Sequence, residues 1–430
     1  MSIAQVHPSR IHGTLTPPPS KSAAHRALIA AALAGSGVIR RLQLSADMQA
    51  TLRAVSGLGC AVRLEPSPDG TVTAYFSSAP SAESASPHSV DCGESGSTLR
   101  FLIPLYAAKG VSAVFTGTGR LPARPLGVYS ACLPSHGVTL SGPAEKSLPL
   151  ALSGRLTGGA FSLPGNVSSQ FITGLLFALP LCPEDSLLRL TTPLESAGYV
   201  DMTLATLRRA GIRVDVLPDG WRIPGGQRYQ PMDWTVESDW SQAAFLLAAG
   251  ALGGEVRLEG LDEQSSQGDK EALALFRRFG ADIRREGSAF LCRRAPLHGI
   301  DIDASQIPDL VPILAVTASL AQGITRITGA ARLRLKESDR LAAVTEGLRA
   351  LGGQVEEGPD HLIITGVPTL RGGAVSGYHD HRMVMSFAVA AIGCREPVII
   401  SDAQSVSKSW PTFFEEYRAI GGTAYVVDHR

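Results

Sequence analysis

Six times along the chain an apolar-periodic segment stops at a glycine and a short alternating run follows. The stops are Gly59, Gly137, Gly211, Gly280, Gly352 and Gly421. The runs after them include Cys60 to Leu64, Val138 to Leu140, Ile212 to Val216, Ala281 to Ile283, Gly353 to Val355 and Gly422 to Val427. A glycine at the end of a helix takes the left-handed conformation that closes the last turn, and strict alternation suits a half-buried strand. The glycines are spaced by 78, 74, 69, 72 and 69 residues, and one sixth of the 430-residue chain is about 72. Helix–glycine–strand steps occur in any α/β protein, so the regular spacing, not the step itself, carries the reading of six related α/β units. Six units in two groups of three match two globular domains. The apolar periodicity predicts helices over Ser22–Ala34, Gly96–Ala108, Ser169–Leu179, Asp201–Ala210, Ser238–Ala251, Lys270–Phe279, Leu310–Leu320, Asp339–Leu351, His381–Ile392 and Pro411–Ile420. The stretch Ser77 to Ser89, rich in Ser, Ala and Pro, reads as a surface loop.

Composition narrows the function classes. Apolar residues make up 44% and charged residues 18%, which excludes a disordered or coiled-coil chain. Lys plus Arg and Asp plus Glu both number 39, so neither a nucleic-acid coat nor a polybasic membrane anchor is expected. The six cysteines are scattered with no CxxC pair, which fits thiols in a reducing compartment. No apolar leader is visible in Met1 to Arg10, and the run from Ala23 to Ala34 is too short to span a bilayer and is broken by His25 and Arg26. The expectation is a cytoplasmic protein with no membrane or nucleic-acid partner.

Candidate chemistry gathers just before helices. In Pro17-Pro18-Pro19-Ser20-Lys21-Ser22, a serine caps the next helix and Lys21 sits at its N-terminus, where a cation opposes the dipole unless an anionic ligand compensates. Asp91-Cys92-Gly93-Glu94-Ser95-Gly96-Ser97-Thr98-Leu99-Arg100 is a small-residue loop without Walker A or GxGxxG spacing, weak evidence by itself. Arg120 and Arg124, among turn residues, suit bidentate carboxylate or phosphate recognition, or are simply a surface pair. Asn166-Val167-Ser168-Ser169-Gln170 offers several neutral donors at a helix start, more than capping requires. Asp309 is a candidate carboxylate or merely a cap. Lys336-Glu337-Ser338-Asp339-Arg340 packs four charges into five residues of a chain with few. His379-Asp380-His381-Arg382 lacks metal-ligand spacing, so no metal is expected. Lys408 again precedes a helix. Many cations, two or more carboxylates and several helix starts predict a cleft for small polyanionic substrates, with phosphate and carboxylate groups the natural guess.

In this order these segments resemble the EPSP synthase (3-phosphoshikimate 1-carboxyvinyltransferase) family of enolpyruvyl transferases over essentially the whole chain. Leu335-Lys336-Glu337-Ser338-Asp339-Arg340-Leu341, Asp380-His381-Arg382-Met383 and Val167-Ser168-Ser169-Gln170-Phe171 are the most specific matches. The resemblance implies two similar domains, each of three α/β units around inward-facing helices, an inside-out α/β barrel. Residues 19–235 would form one domain, with most of the shikimate 3-phosphate contacts. Residues 1–18 and 236–430 would form the other, with Asp309, Glu337, Arg340, Arg382 and Lys408 on its side of the cleft. The implied reaction moves the enolpyruvyl group of phosphoenolpyruvate to the 5-hydroxyl of shikimate 3-phosphate, by addition and elimination through a tetrahedral intermediate, and releases phosphate without metal or redox cofactor.

Carried over residue by residue, Lys21 touches both substrates and can move a proton. Ser22 and Arg26 bind the shikimate carboxylate. Ser168, Ser169, Ser196 and Tyr199 surround the shikimate phosphate, and Gln170 lies near both substrates. Gly96, Arg124, Arg340, Arg382 and Lys408 bind phosphoenolpyruvate, Lys408 counting also among the catalytic groups. Asp309 is the base at the 5-hydroxyl, Glu337 the acid at the enol methylene, and Lys336 a contact to the shikimate moiety. Glu94, Ser97, Phe101 and Arg332 depart from common family residues; Glu94 is expected to pair with a cation such as Arg124 or Lys21, or to lie away from the ligands. The sister transferase acting on UDP-N-acetylglucosamine is the nearest alternative, but its pocket cysteine is missing from Gly117 to Pro125. A non-enzymatic α/β repeat scaffold is the alternative from another class. A monomer is expected by resemblance.

Overall fold

A computed structural model describes residues 2–79 and 86–428. Its strands form six four-stranded sheets, and its α-helices alternate between deeply buried and half-buried along the chain. The buried set is α1 (Lys21–Ala34), α3 (Gly96–Lys109), α5 (Ser169–Ala178), α7 (Trp240–Gly253), α9 (Val311–Ser319) and α11 (His381–Ala390). The amphipathic set is α2 (Ala46–Val55), α4 (Gly127–Cys132), α6 (Ala197–Arg209), α8 (Ala272–Phe279), α10 (Arg340–Ala350) and α12 (Phe413–Ala419). Helices apolar all round, such as α7 and α9, belong inside a core, and helices with one apolar stripe belong on its surface. The observed burial follows that rule.

All six glycine stops have positive φ, between 74° and 101°. Each is followed closely by a strand: Cys60–Pro66, Val138–Ser141, Asp215–Leu217, Asp282–Glu286, Gln354–Glu357 and Thr423–Asp428. In every sheet that strand is an outer one, paired antiparallel to the next. The repeat read from glycine spacing is therefore a structural repeat of helix, left-handed cap and edge strand.

The chain divides into two compact units, Met1–Pro18 with Glu237–Arg430, and Pro19–Val236. Each has its own apolar core built on three buried helices. In the continuous unit, Met232–Thr235 returns to pair parallel with Ser36–Leu42 and completes the first sheet. In the discontinuous unit, Ser2–His7 inserts between Val398–Ile400 and Thr423–Asp428, and Ile11–Leu15 pairs parallel with Gly254–Leu258. Each unit is thus sealed by a strand from a distant part of the sequence.

Three local readings change. Ala46–Val55 is a separate helix, capped by Ser45, whose hydroxyl accepts from the Met48 N–H, and not merely the lead-in to Gly59. Gly127–Cys132 is a helix of six residues without a side-chain cap, so neither length nor capping signals it. In the loop expected over 77–89, Ser77 and Ser78 close the strand Val72–Ser78, and His88 and Ser89 open His88–Asp91; residues 80–85 lie outside the described residues.

Candidate active site

The motif residues sit at the first turns of the buried helices. Ser20 caps α1, its hydroxyl accepting from the Ala23 N–H, and Lys21 is the first helical residue. Ser95 caps α3 directly before Gly96, and Ser168 caps α5 directly before Ser169. Asp239 caps α7 and Asp380 caps α11, each carboxylate accepting from backbone N–H groups. Asp309 lies in the 3-10 turn leading into α9. Helix N-termini present unpaired N–H groups and positive potential, which suits anionic ligands.

In the continuous unit, one cluster joins α3, α5 and the turn at Arg124. A Cβ built on Gly96 would lie 2.7 Å from Arg124 Nη1 and 2.9 Å from Arg100 Nη1, so a side chain there would displace both guanidinium groups. Arg100 Nη1 donates to Gln170 Oε1 at 2.8 Å, and Gln170 Nε2 donates to Ser97 Oγ at 3.0 Å. Arg100 is buried against the Phe171 ring and belongs to this cluster, although the resemblance left it out. Its partner Gln170 lies 70 residues away, so no local spacing in the sequence singles Arg100 out.

A second cluster surrounds Arg26, which is almost wholly buried. Its guanidinium donates to Thr203 Oγ1 (2.9 Å), the Ser22 carbonyl (2.8 Å), the Tyr199 carbonyl (2.8 Å) and Thr173 Oγ1 (3.4 Å), and lies over the Phe101 ring. Burial is the main cause that lowers its pKa, to about 10. Ser22, Arg26 and Tyr199 are thus brought together. Ser196 begins α6 in the left-handed conformation, buried, at φ 56°. Lys21 Nζ donates to Asp47 Oδ2 at 2.8 Å; Asp47 stands 26 residues away on α2, and nothing local in the sequence pairs the two.

In the discontinuous unit, Arg340 is the centre of a dense ionic network. Its Nη1 donates to Asp309 Oδ1 (2.8 Å), its Nη2 to Glu337 Oε2 (2.8 Å), and its Nε to Asp380 Oδ2 (2.8 Å). Lys336 Nζ donates to Asp309 Oδ1 at 3.0 Å, and Ser338 Oγ to Asp380 Oδ2 at 3.0 Å. Arg382 Nη1 donates to the Asp309 carbonyl (3.0 Å) and Nη2 to Ser241 Oγ (3.0 Å), which ties the first turns of α7 and α11 to the turn before α9. Lys408 Nζ donates to the carbonyl of His379, two residues before α11. Asp309, Lys336, Glu337, Arg340 and Arg382 therefore meet. Asp380 and Ser241 join them, although the sequence had offered Asp380 only within a motif and Ser241 not at all.

The electrostatics follow from this crowding. Burial pushes the Asp309 carboxyl upward, but Lys336, Arg382 and Arg340 together outweigh it and hold it well below the usual range. Burial pushes Lys336 down, and Asp309 only partly restores it. Burial disfavours the Arg340 cation, yet Asp380, Glu337 and Asp309 more than compensate and raise its pKa. A buried charge network of this kind is sustained only because every carboxylate has a cation.

The four departures are also placed. The Glu94 carboxylate packs against Gly119, where a Cβ would come within 2.2 Å of it. Ser97 accepts from Gln170. Phe101 forms part of the core beneath Arg26. Arg332 donates to the Ser305 carbonyl at 2.7 Å. A cavity of about 1660 Å³ in the discontinuous unit is lined by Arg10, Gly253, Arg294, Gln322, Val367 and Gly393 among others, and none of the motif residues lines it. Among the described residues no group of three or more His, Cys, Asp or Glu is arranged to hold a metal ion, and no helix is long and apolar enough to cross a membrane.

The family model for EPSP synthase (3-phosphoshikimate 1-carboxyvinyltransferase) matches residues 6–417. The chain belongs to the EPSP synthase family. A 3-phosphoshikimate 1-carboxyvinyltransferase of Clostridium acetobutylicum is 42% identical over 427 residues, with 99% of each chain covered. One from Clostridioides difficile is 41% identical over 433 residues, with 98% of each covered. Among solved structures, an EPSP synthase from Acinetobacter baumannii superposes with a TM-score of 0.81 at 26% identity, covering 100% of both chains. The enolpyruvyl transferase NikO from Streptomyces tendae, at 18% identity and a TM-score of 0.78 over 100% of this chain and 99% of that one, shares the fold. The two similar α/β domains of repeated units are the architecture of this family.

Proposed function

We propose that the chain transfers the enolpyruvyl group of phosphoenolpyruvate to the 5-hydroxyl of shikimate 3-phosphate and releases inorganic phosphate. Full-length similarity to 3-phosphoshikimate 1-carboxyvinyltransferases supports the reaction. The observation that carries the chemistry is the single guanidinium of Arg340 bridging Asp309 and Glu337. Addition across the enol needs one group to take the hydroxyl proton and another to deliver a proton to the methylene; elimination needs a group to take a proton back from the resulting C3 methyl while phosphate leaves C2 and the new ether bond stays. Asp309 is the acceptor at the hydroxyl and Glu337 the donor at the methylene.

Without substrate, Arg340 pairs with both carboxylates, and Asp309 is held well below the usual carboxylate range by Lys336, Arg382 and Arg340. Anionic substrates compete for those cations. A substrate anion beside Lys336 weakens its hold on Asp309 and raises that carboxylate's proton affinity; a phosphoenolpyruvate oxyanion on Arg340 does the same for Glu337. The network thereby couples substrate binding to acid–base readiness.

Lys21, Gly96, Arg124, Gln170, Arg340, Arg382 and Lys408 are assigned to phosphoenolpyruvate, with Arg100 added. Lys21, Ser22, Arg26, Ser168, Ser169, Gln170, Ser196, Tyr199, Asp309 and Lys336 are assigned to shikimate 3-phosphate. Lys21 and Lys408 assist proton transfer. Six buried, unbridged cysteines support a cytoplasmic location. Phosphate release, followed with both substrates, with shikimate 3-phosphate omitted and with UDP-N-acetylglucosamine in its place, tests the reading. Release only with shikimate 3-phosphate is expected; release with the nucleotide sugar alone transfers the assignment to the sister reaction.

A further inference from the structure

The continuous unit holds a chain of buried hydroxyls that no substrate assignment uses. His25, on α1, is 1% exposed, and its Nδ1 lies 2.7 Å from Thr51 Oγ1 on α2. Thr51 Oγ1 lies 2.7 Å from Thr98 Oγ1 on α3. Thr98 Oγ1 donates to Ser95 Oγ at 2.7 Å, and the same Ser95 oxygen accepts the Thr98 backbone N–H at 3.1 Å as the helix cap. Thr51, Thr98 and Ser95 are as buried as His25.

Proton counting fixes the direction of the chain. The Thr98 hydroxyl proton is committed to Ser95, so Thr98 Oγ1 accepts from Thr51. The Thr51 proton is then committed too, so Thr51 Oγ1 accepts from the ring nitrogen of His25. The ring must carry its proton on Nδ1, which leaves Nε2 a lone pair that meets no donor among the described residues. Burial, with Lys21 and Arg26 nearby, keeps the imidazole uncharged well below its usual pKa, consistent with that assignment.

We propose that His25 and Thr51 are positioning residues for the phosphoenolpyruvate pocket, acting through this one-way relay on the Ser95–Gly96 turn. Mutual satisfaction of buried hydroxyls would need no particular end point. This relay ends on the residue before Gly96, where the backbone lies so close to the Arg100 and Arg124 guanidinium groups that an added methyl group would displace them. A shift of a few tenths of an ångström in that turn moves the surface on which both cations rest. The same two helices also hold Lys21 through Asp47, one turn before His25 and Thr51 respectively, so α2 braces two parts of the site while carrying no assigned substrate contact.

The inference rests on the assignment of phosphoenolpyruvate to Gly96 and Arg124, and the experiment separates the two. In the full-length protein, imidazole ¹⁵N NMR, with His25 identified by its loss in His25→Asn, should show Nδ1–H at pH 7. An Nε2–H ring overturns the relay whatever the kinetics give. Thr51→Val keeps the shape and removes the hydroxyl; it should raise KM for phosphoenolpyruvate about tenfold, the worth of one buried hydrogen bond. KM for shikimate 3-phosphate should stay within twofold, and Thr51→Ser should restore the first value. An unchanged phosphoenolpyruvate KM in Thr51→Val, or equal changes in both KM values, overturns the positioning role. Gly96→Ala is the control for the underlying assignment: if it leaves phosphoenolpyruvate KM unchanged, the placement of that substrate fails, while the ring tautomer still decides the relay.

Discussion

Glu337 and Asp309 share one guanidinium, and their chemistry can be separated by substitution. Glu337→Gln keeps the shape and the contact to Arg340 but cannot deliver a proton. It should lower kcat by about a hundredfold or more, within the range for a general acid, while KM for phosphoenolpyruvate moves less than threefold. Steady-state kinetics with both substrates checks this. His25 makes a prediction of another kind. Its folded pKa is depressed below 6.5, mainly by burial and then by Lys21 and Arg26. Below that value the unfolded chain binds a proton that the folded ring refuses, so stability is full above the unfolded pKa and falls as pH drops below it. Denaturation midpoints from pH 7 to pH 5 should fall, and His25→Asn should flatten that slope. At this scale the sequence was informative where charges cluster locally: Lys336, Glu337 and Arg340 stood out because four of five consecutive residues are charged. Asp47, Ser241 and Arg100 depended on partners 26 to 141 residues away, and spacing carries no signal for such pairs.

Among the elements, the six cap glycines offer a graded test. All have positive φ, which costs a non-glycine residue about 1 kcal/mol or somewhat more. A Cβ on Gly59 would meet nothing within 4 Å, whereas on Gly137 it would lie 2.6 Å from the Arg155 carbonyl oxygen. Gly59→Ala should therefore cost about 1 kcal/mol, and Gly137→Ala clearly more, because backbone must move as well. Chemical denaturation of the two variants measures the difference, and equal losses would show that backbone conformation alone sets the cost. Helix ends were legible because capping acts within a few residues. The helix Gly127–Cys132 was not: it has no side-chain cap and too few residues for a period to show.

For the whole molecule, the discontinuous unit depends on the first residues of the chain. Ser2–His7 is an interior strand of its sheet, paired on both sides. Deleting residues 2–8 should leave Thr423–Asp428 without its ladder partner and Val398–Ile400 paired on one side only, by Gly373–Val375, and destabilise that unit, while the unit Pro19–Val236 keeps its core. Hydrogen exchange should then rise across 398–400 and 423–428 and remain slow in α3 and α5; uniform loss of protection would contradict the independence of the two cores. The sequence by itself determined the repeat of apolar-periodic segment, left-handed glycine and following strand, and the positions of serines and acids at helix starts. Periodicity, capping and glycine's freedom at positive φ are interactions of near neighbours, complete within one turn or one strand. Tertiary structure alone decided which strand seals each unit, that Arg340 binds three carboxylates at once, and that four hydroxyl and imidazole groups line up behind Gly96. Those outcomes depend on which buried surfaces share a core, where a polar group must find a partner at any sequence distance or forfeit its hydration.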